Sequence, residues 1–306
     1  MKPVVAISIG DLNGVGIAIA LNAHDTIKEL CSPRYCINRK MLERAAKLLE
    51  PPIPEGFKTV EVEGDFEIRP GVVDGESGRY AYDSFMRAVA MCENGEADAV
   101  TTMPIHKEAW MKAGLEFKGH TDLLRHHFNA EAIMMLGCDK LYVALYTEHM
   151  PLKDVPETIE EEALTRFLLD FAKETKAEKA AVLGLNPHAG DNGVLGDEER
   201  TIEKAISNAN TEGHIFDGPV VPDIAFTPRF RENYKYFIAM YHDQGLAPLK
   251  ALYFDESINV SLNLPIVRTS VDHGTAFDIA YKSPPKCESY INAVKAAVSL
   301  SEARKA

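Results

Sequence analysis

Short apolar, β-branched runs recur along this chain, and each ends in a polar or glycine-rich cluster. Val4–Ile9 meets Gly10-Asp11, and Ala99–Thr102 meets Met103-Pro104-Ile105-His106-Lys107. Leu141–Tyr146 meets Thr147-Glu148-His149, Lys179–Leu185 meets Asn186-Pro187-His188, and Tyr236–Met240 meets His242-Asp243. Val267–Val271 meets Asp272-His273-Gly274-Thr275. Such runs read as buried strands, and strands ending in polar clusters are what an open α/β sheet presents at its ligand edge. Helical stretches lie between them, at about 17–30, 39–49, 77–93, 159–174, 197–210 and 288–302. The prolines from Pro51 to Pro54 end the second of these, and Ser77 is the expected cap of the third. Alternation of this kind predicts an α/β fold; the pair Ile133–Leu136 and Leu141–Tyr146, around Gly137-Cys138-Asp139, adds an antiparallel hairpin.

Composition narrows the classes. The 306 residues are 46% hydrophobic and 26% charged, enough for a full core in one large or two medium domains. The net charge of −13 argues against a nucleic-acid or acidic-membrane partner. No apolar run approaches a membrane span, and five cysteines without metal-type spacing suggest reduced thiols in the cytoplasm. An anionic ligand would therefore need a locally basic site inside an acidic protein.

The candidate chemistry sits where the strands end. His149, His188 and His242 each follow an apolar strand and are far apart in sequence, so they can converge at one sheet edge. Three imidazoles with an open position make a site for zinc or a similar divalent ion; the alternative for each is a loop histidine satisfied by backbone. Asp223 and Asp243 could orient a metal-bound histidine. Arg268, between apolar runs, could grip an oxyanion through both guanidinium nitrogens. Lys250 follows an apolar segment and suits proton transfer. His120 and Thr121 open a helix, whose N-terminus favours an anion. The first loop, Gly10-Asp11-Leu12-Asn13-Gly14-Val15-Gly16, matches neither the P-loop nor the dinucleotide fingerprint and reads as a tight βα turn. His24, His126, His127 and His214 read as surface residues.

Several motifs resemble the 4-hydroxythreonine-4-phosphate dehydrogenases, which make a precursor of pyridoxal phosphate. They are Gly119-His120-Thr121-Asp122, Gly184 through Gly190, Tyr241-His242-Asp243-Gln244-Gly245-Leu246 through Lys250, Asn259, and Arg268 through Ala276. The resemblance implies an isocitrate/isopropylmalate dehydrogenase-like α/β fold. Its two lobes would span about 1–120 with 245–306, and 121–244, with the active site in the cleft between them. It implies one divalent metal (zinc, magnesium or cobalt) on His149, His188 and His242. His120, Thr121, Lys250, Asn259 and Arg268 would hold the phosphorylated substrate. NAD or NADP would meet His273-Gly274-Thr275-Ala276, with Asp278 on a ribose hydroxyl and favouring NAD. Lys250, Asp243 and Asp223 would move protons, in a homodimer whose active site lies at the subunit interface and takes a metal ligand from the partner. The family's first loop usually reads Gly-Asp-Pro-x-Gly-Ile-Gly-Pro-Glu; here both prolines and the glutamate are absent, so the resemblance assigns that loop no role.

The implied reaction is oxidation of 4-phosphohydroxy-L-threonine to 2-amino-3-oxo-4-phosphooxybutanoate, which decarboxylates to 3-amino-2-oxopropyl phosphate. The nearest alternatives act on 4-phospho-D-erythronate, 4-phosphothreonate or an aromatic cis-diol. A metal-dependent hydrolase or lyase and a non-catalytic phosphate-binding protein are alternatives of other classes.

Overall fold

A computed structural model describes residues 2–50 and 52–305. The chain sorts into two compact units, Met1–Ala130 with Ile258–Ala306, and Glu131–Ser257. The first stretch carries β1 (Val4–Ser8), α1 (Gly16–Leu30), β2 (Ser32–Cys36), α2 (Arg39–Leu49), β3 (Thr59–Val60), α3 (Gly75–Glu93), β4 (Ala99–Thr102), α4 (Lys107–Lys112) and α5 (His120–Phe128). The second unit follows with β5 (Ile133–Cys138), β6 (Leu141–Leu145), α6 (Glu161–Thr175), β7 (Ala180–Leu183), α7 (Glu198–Ala209), β8 (Phe216–Val220), α8 (Pro222–Ala225), α9 (Pro228–Arg231), β9 (Tyr236–Ala239) and α10 (His242–Tyr253). The chain then returns to the first unit with β10 (Ile258–Leu262), β11 (Arg268–Val271) and α11 (Glu288–Lys305).

In the first unit the strand order is β3-β2-β1-β4-β11-β10, parallel except for the antiparallel β10–β11 pair. β1 and β4 are central and almost wholly buried, as continuous apolar runs in a parallel sheet should be. Thr101 and Thr102 are buried in β4 as well, which places a hydroxyl at its carboxyl end. Helix starts follow their caps: Met41 N–H donates to the Asn38 side chain, and Ser77 N–H donates to Asp74. Asp74, not Ser77, is therefore the cap of α3, and the Ser77 hydroxyl donates instead to Asp11. The helix α2 ends at Leu49 with Glu50 left-handed; Pro51, part of the expected break, lies outside the described residues.

In the second unit the order is β5-β6-β9-β7-β8, with β5–β6 an antiparallel hairpin whose turn is Asp139-Lys140. β6, β9 and β7 are adjacent and parallel. Their core of Met134, Leu136, Val143, Leu145, Leu183 and Phe237 is covered by Leu246 and Leu249 of α10. The expected lobe limits near 120/121 and 244/245 cut α5 and α10; each of those helices lies whole within one unit. The stretch 239–278, continuous in sequence, is divided between the units at 257/258.

Candidate functional site

Two groups of candidate residues emerge, one in each unit. In the first unit, Arg268 opens β11, paired against Ser261 of β10 and beside β4. It is only 2% exposed. Its guanidinium donates from Nη1 to Ser261 Oγ at 3.0 Å and from Nη2 to Thr102 Oγ1 at 2.8 Å. Its Nε–H is buried with no partner, and no carboxylate pairs with it among the described residues. Burial alone pulls its pKa down to about 9. A buried cation held by two hydroxyls and missing an anion is incomplete by ordinary solvation accounting.

His120, at the start of α5, is held edge-on by Phe85 (ring centroids 4.5 Å) and Trp110 (5.6 Å). Its Nε2 is also buried without a partner. Burial, and then the charge of Arg268, hold it well below the usual histidine range, so it is neutral. Thr121 is buried beside it, and the Asn259 Oδ1 on β10 is a third buried atom without a partner. The open groups include a guanidinium N–H, an imidazole nitrogen and an amide carbonyl. Together they suit a small anion that carries a donor of its own. Thr102, Ser261 and Trp110 were not singled out from sequence; only the position of Thr102 at the end of an apolar run marked it.

In the second unit, the loops bearing His149, His188 and His242 leave the carboxyl ends of β6, β7 and β9. Hydrogen bonds lace these loops together. The Thr147 hydroxyl donates to Met240 O at 2.6 Å. Gln244 accepts from Met240 N at 2.7 Å and donates to Gly184 O at 2.6 Å. His149 and His242 lie with ring centroids 5.4 Å apart, lining an open pocket with Glu148, Tyr241 and Asp243. His242 Nδ1 meets Asp243 Oδ1 at 2.7 Å. A carboxylate there accepts a hydrogen bond from Nδ1–H and leaves the lone pair on Nε2, the usual outer support of a metal-binding imidazole.

His188 does not join that pair. It begins a turn in which His188, Ala189, Gly190, Asp191, Asn192 and Gly193 all have positive φ. Left-handed backbone costs roughly 1–2 kcal/mol for each non-glycine residue. Glu199, 5% exposed, braces the approach to the turn: Asn186 donates to it from its backbone N–H at 2.6 Å and from its side chain at 2.9 Å. Among the described residues, no three histidine, cysteine or acidic side chains gather in a metal-binding group. The donor set fits a divalent cation as two neighbouring imidazoles, one with a carboxylate behind it; a closed set is not assembled in one chain.

The remaining candidates are dispersed. Lys250 is half-buried on α10, with its ammonium 5.7 Å from the Phe254 ring centroid. Asp223 is exposed on α8, which packs against the His188 turn and not in the pocket of His149 and His242. In the first unit His273 is half-buried, Gly274 is exposed, Thr275 is buried, and Asp278 is exposed. His24, expected at the surface, is fully buried: its Nδ1 meets the Tyr35 hydroxyl at 2.9 Å and its Nε2 meets Glu55 O at 3.2 Å. An amphipathic reading of α1 misses this, because Tyr35 and Phe57 supply a polar-lined aromatic niche.

The architecture and the buried cation at strand ends describe an α/β protein with a candidate anion site, and comparison with known proteins gives its class, an oxidoreductase. The model of the family "Pyridoxal phosphate biosynthetic protein PdxA" matches residues 29–297, and the chain belongs to that family. A 4-hydroxythreonine-4-phosphate dehydrogenase of Sulfurimonas denitrificans is 64% identical over 300 residues, covering 97% of this chain and 98% of the relative. One from Campylobacter fetus subsp. fetus is 54% identical over 301 residues, with coverage of 97% and 98%. The crystal structure of a 4-hydroxythreonine-4-phosphate dehydrogenase from Burkholderia phymatum superposes with a TM-score of 0.82 at 31% identity, covering 98% of each chain.

Proposed function

We propose that this chain oxidises 4-phosphohydroxy-L-threonine to 2-amino-3-oxo-4-phosphooxybutanoate, which loses CO₂ to give 3-amino-2-oxopropyl phosphate on the way to pyridoxal phosphate. The observation that carries this reading is the buried Arg268 with its unpartnered Nε, beside the unpartnered Nε2 of His120. A substrate phosphate supplies the missing charge. Arg268 donates to it, Thr121 adds donors from the start of α5, and His120 takes a shared proton as the anion arrives. The Asn259 carbonyl accepts from the substrate ammonium.

The second unit supplies the other end of the chemistry. His149, His188 and His242 are the ligands for zinc, magnesium or cobalt, with Asp243 holding the His242 ring. Because one chain groups only two of the imidazoles, we assign the completed set to a homodimer in which a ligand crosses from the partner. When bound, the cation would supply positive charge that favours ionisation of the secondary hydroxyl and polarises a ketone, and NAD or NADP would supply the hydride acceptor. Lys250, with Asp243 or Asp223, is the candidate to take the hydroxyl proton and return one to carbon after decarboxylation. His273, Gly274, Thr275 and Ala276 receive the adenosine, and Asp278 its ribose; a carboxylate there favours NAD. The five free thiols accord with a cytoplasmic setting, and among the described residues no helix is long and apolar enough to cross a membrane.

The test is NADH absorbance with purified protein, NAD⁺, a divalent cation and 4-phosphohydroxy-L-threonine, run beside 4-phospho-D-erythronate. Turnover with the threonine compound, abolished by chelator, is the expected result. Turnover confined to the erythronate would move the substrate within the same chemistry, and silence with both would overturn the reading.

A further inference from the structure

The first loop, which the resemblance left without a role, is wired to the turn at 273–278. Four of its backbone donors are engaged inside the protein. Asp11 N–H donates to Pro104 O, Asn13 N–H to the Asp11 carboxylate, Gly14 N–H to Asp11 O, and Val15 N–H to Thr275 O. Its contacts with the turn are close. A Cβ on Gly14 would lie 2.8 Å from Thr275 O and 3.2 Å from the Phe277 ring. The Tyr281 hydroxyl donates to Leu12 O at 2.8 Å. His106 stacks on Phe277 with centroids 4.8 Å apart.

Asn13 ties this arrangement to a second segment. It is fully buried. Its amide donates to Val72 O and to Asp74 Oδ2, both at 2.8 Å, and its carbonyl oxygen accepts from Arg69 N–H at 2.8 Å. Its backbone oxygen accepts from Gly71 N–H at 2.9 Å. Gly71, at φ +74°, lies where a Cβ would stand 2.8 Å from Phe277 O. Segment 69–74 therefore reaches the same turn from another side, clamped by Asn13. The turn is fixed from beneath at Thr275 and Phe277, while Gly274 has open space around it.

We propose that Asn13 is a positioning residue for the dinucleotide: by clamping the first loop to segment 69–74, it sets the height and tilt of the turn that receives the adenosine. This rests on the reading of His273–Asp278 as the dinucleotide turn. No substrate or cofactor touches Asn13. Its effect passes through Thr275 and Phe277, and a preorganised turn binds without a further ordering cost.

The experiment compares the whole chain with Asn13→Ala and Tyr281→Phe. NADH binding is measured by calorimetry, and inorganic phosphate binding by fluorescence of Trp110, the single tryptophan, which packs on His120. Asn13→Ala should weaken NADH binding about tenfold and Tyr281→Phe about threefold, on the scale of one or two lost hydrogen bonds. Phosphate affinity should stay within about twofold in both, and KM for NAD⁺ should rise while kcat changes less. If Asn13→Ala does not fold, Tyr281→Phe carries the test, since it removes one hydroxyl and keeps the ring. Unchanged NADH affinity in the folded variants, or equal loss of NADH and phosphate binding, would overturn the positioning role. No NADH binding by the unaltered protein would overturn the dinucleotide reading itself, and the inference with it.

Discussion

The anion pocket of the first unit and the imidazole pair of the second are built in opposite ways. Arg268 is sealed in, desolvated and gripped by Thr102 and Ser261 before any ligand arrives. His149 stands largely in solvent, His242 is partly exposed, and the third histidine sits on a separate strained turn. The difference accords with the ligand proposed for each. Fixed donors in a dry pocket meet an anion without reorganisation, and that is where their electrostatic effect is largest. A metal ligand must stay neutral and reachable, and its set closes only when ion and last ligand come together. The preformed pocket therefore keeps an uncompensated charge, whereas the open one keeps an incomplete coordination shell.

This contrast can be broken at its strongest point first. Arg268→Met should lower kcat/KM about 10³-fold, because a buried charge pair with the substrate is lost. The melting temperature of the free protein should hold or rise, since an unpaired buried cation goes with it. Steady-state kinetics and a thermal melt check both; a large fall in melting temperature with activity retained would reverse the assignment.

His242→Ala should weaken metal binding by at least about 10²-fold, read by competition with a chromophoric chelator. The melting temperature without metal should not move, because the ring is half exposed. Asp243→Asn, which keeps the shape but supports the ring less well, should cost about tenfold in the same competition.

Thr102→Val sharpens the comparison at smaller scale. It removes one of two hydroxyls on the guanidinium, and phosphate affinity should fall about five- to tenfold with the metal site untouched.

The smallest effect is one of pH. His120 is held below the ordinary value of 6.5, by burial first and Arg268 second. The unfolded chain binds that proton near 6.5 and the folded, empty pocket does not. Stability from this group is therefore present above about pH 6.5 and lost as the pH falls through it. Urea midpoints at about pH 7.5 and about pH 5.5 should differ less in His120→Gln than in the unaltered protein.

Much of this was legible along the chain. Buried strands read directly from apolar runs, because a parallel strand covered on both faces must be apolar throughout. β1, β4, β6, β7, β9 and β11 were all visible in this way, and so was the polar residue that follows each. β2 was not, since Ser-Pro-Arg-Tyr-Cys has little of the expected composition; its pairing with β1 makes it a strand. β10 was hidden for a related reason: Ile258–Leu262 carries Asn259 and Ser261, which look like breaks until Ser270 and Arg268 are found opposite them.

The sequence by itself determined the α/β class and the family motifs and marked Arg268, His120, Thr121 and Asn259 as candidates, because strand composition and strand-end chemistry are local properties. Only the tertiary structure decided what those residues lack or already have. It showed that Arg268 is buried with its Nε unpartnered, that Glu199 braces the approach to the turn of His188, and that the first loop is tied to the turn at Thr275. Hydrogen-bond satisfaction depends on partners dozens of residues away, as Asn13 and Asp74 show, and no window along the chain contains both ends of such a bond.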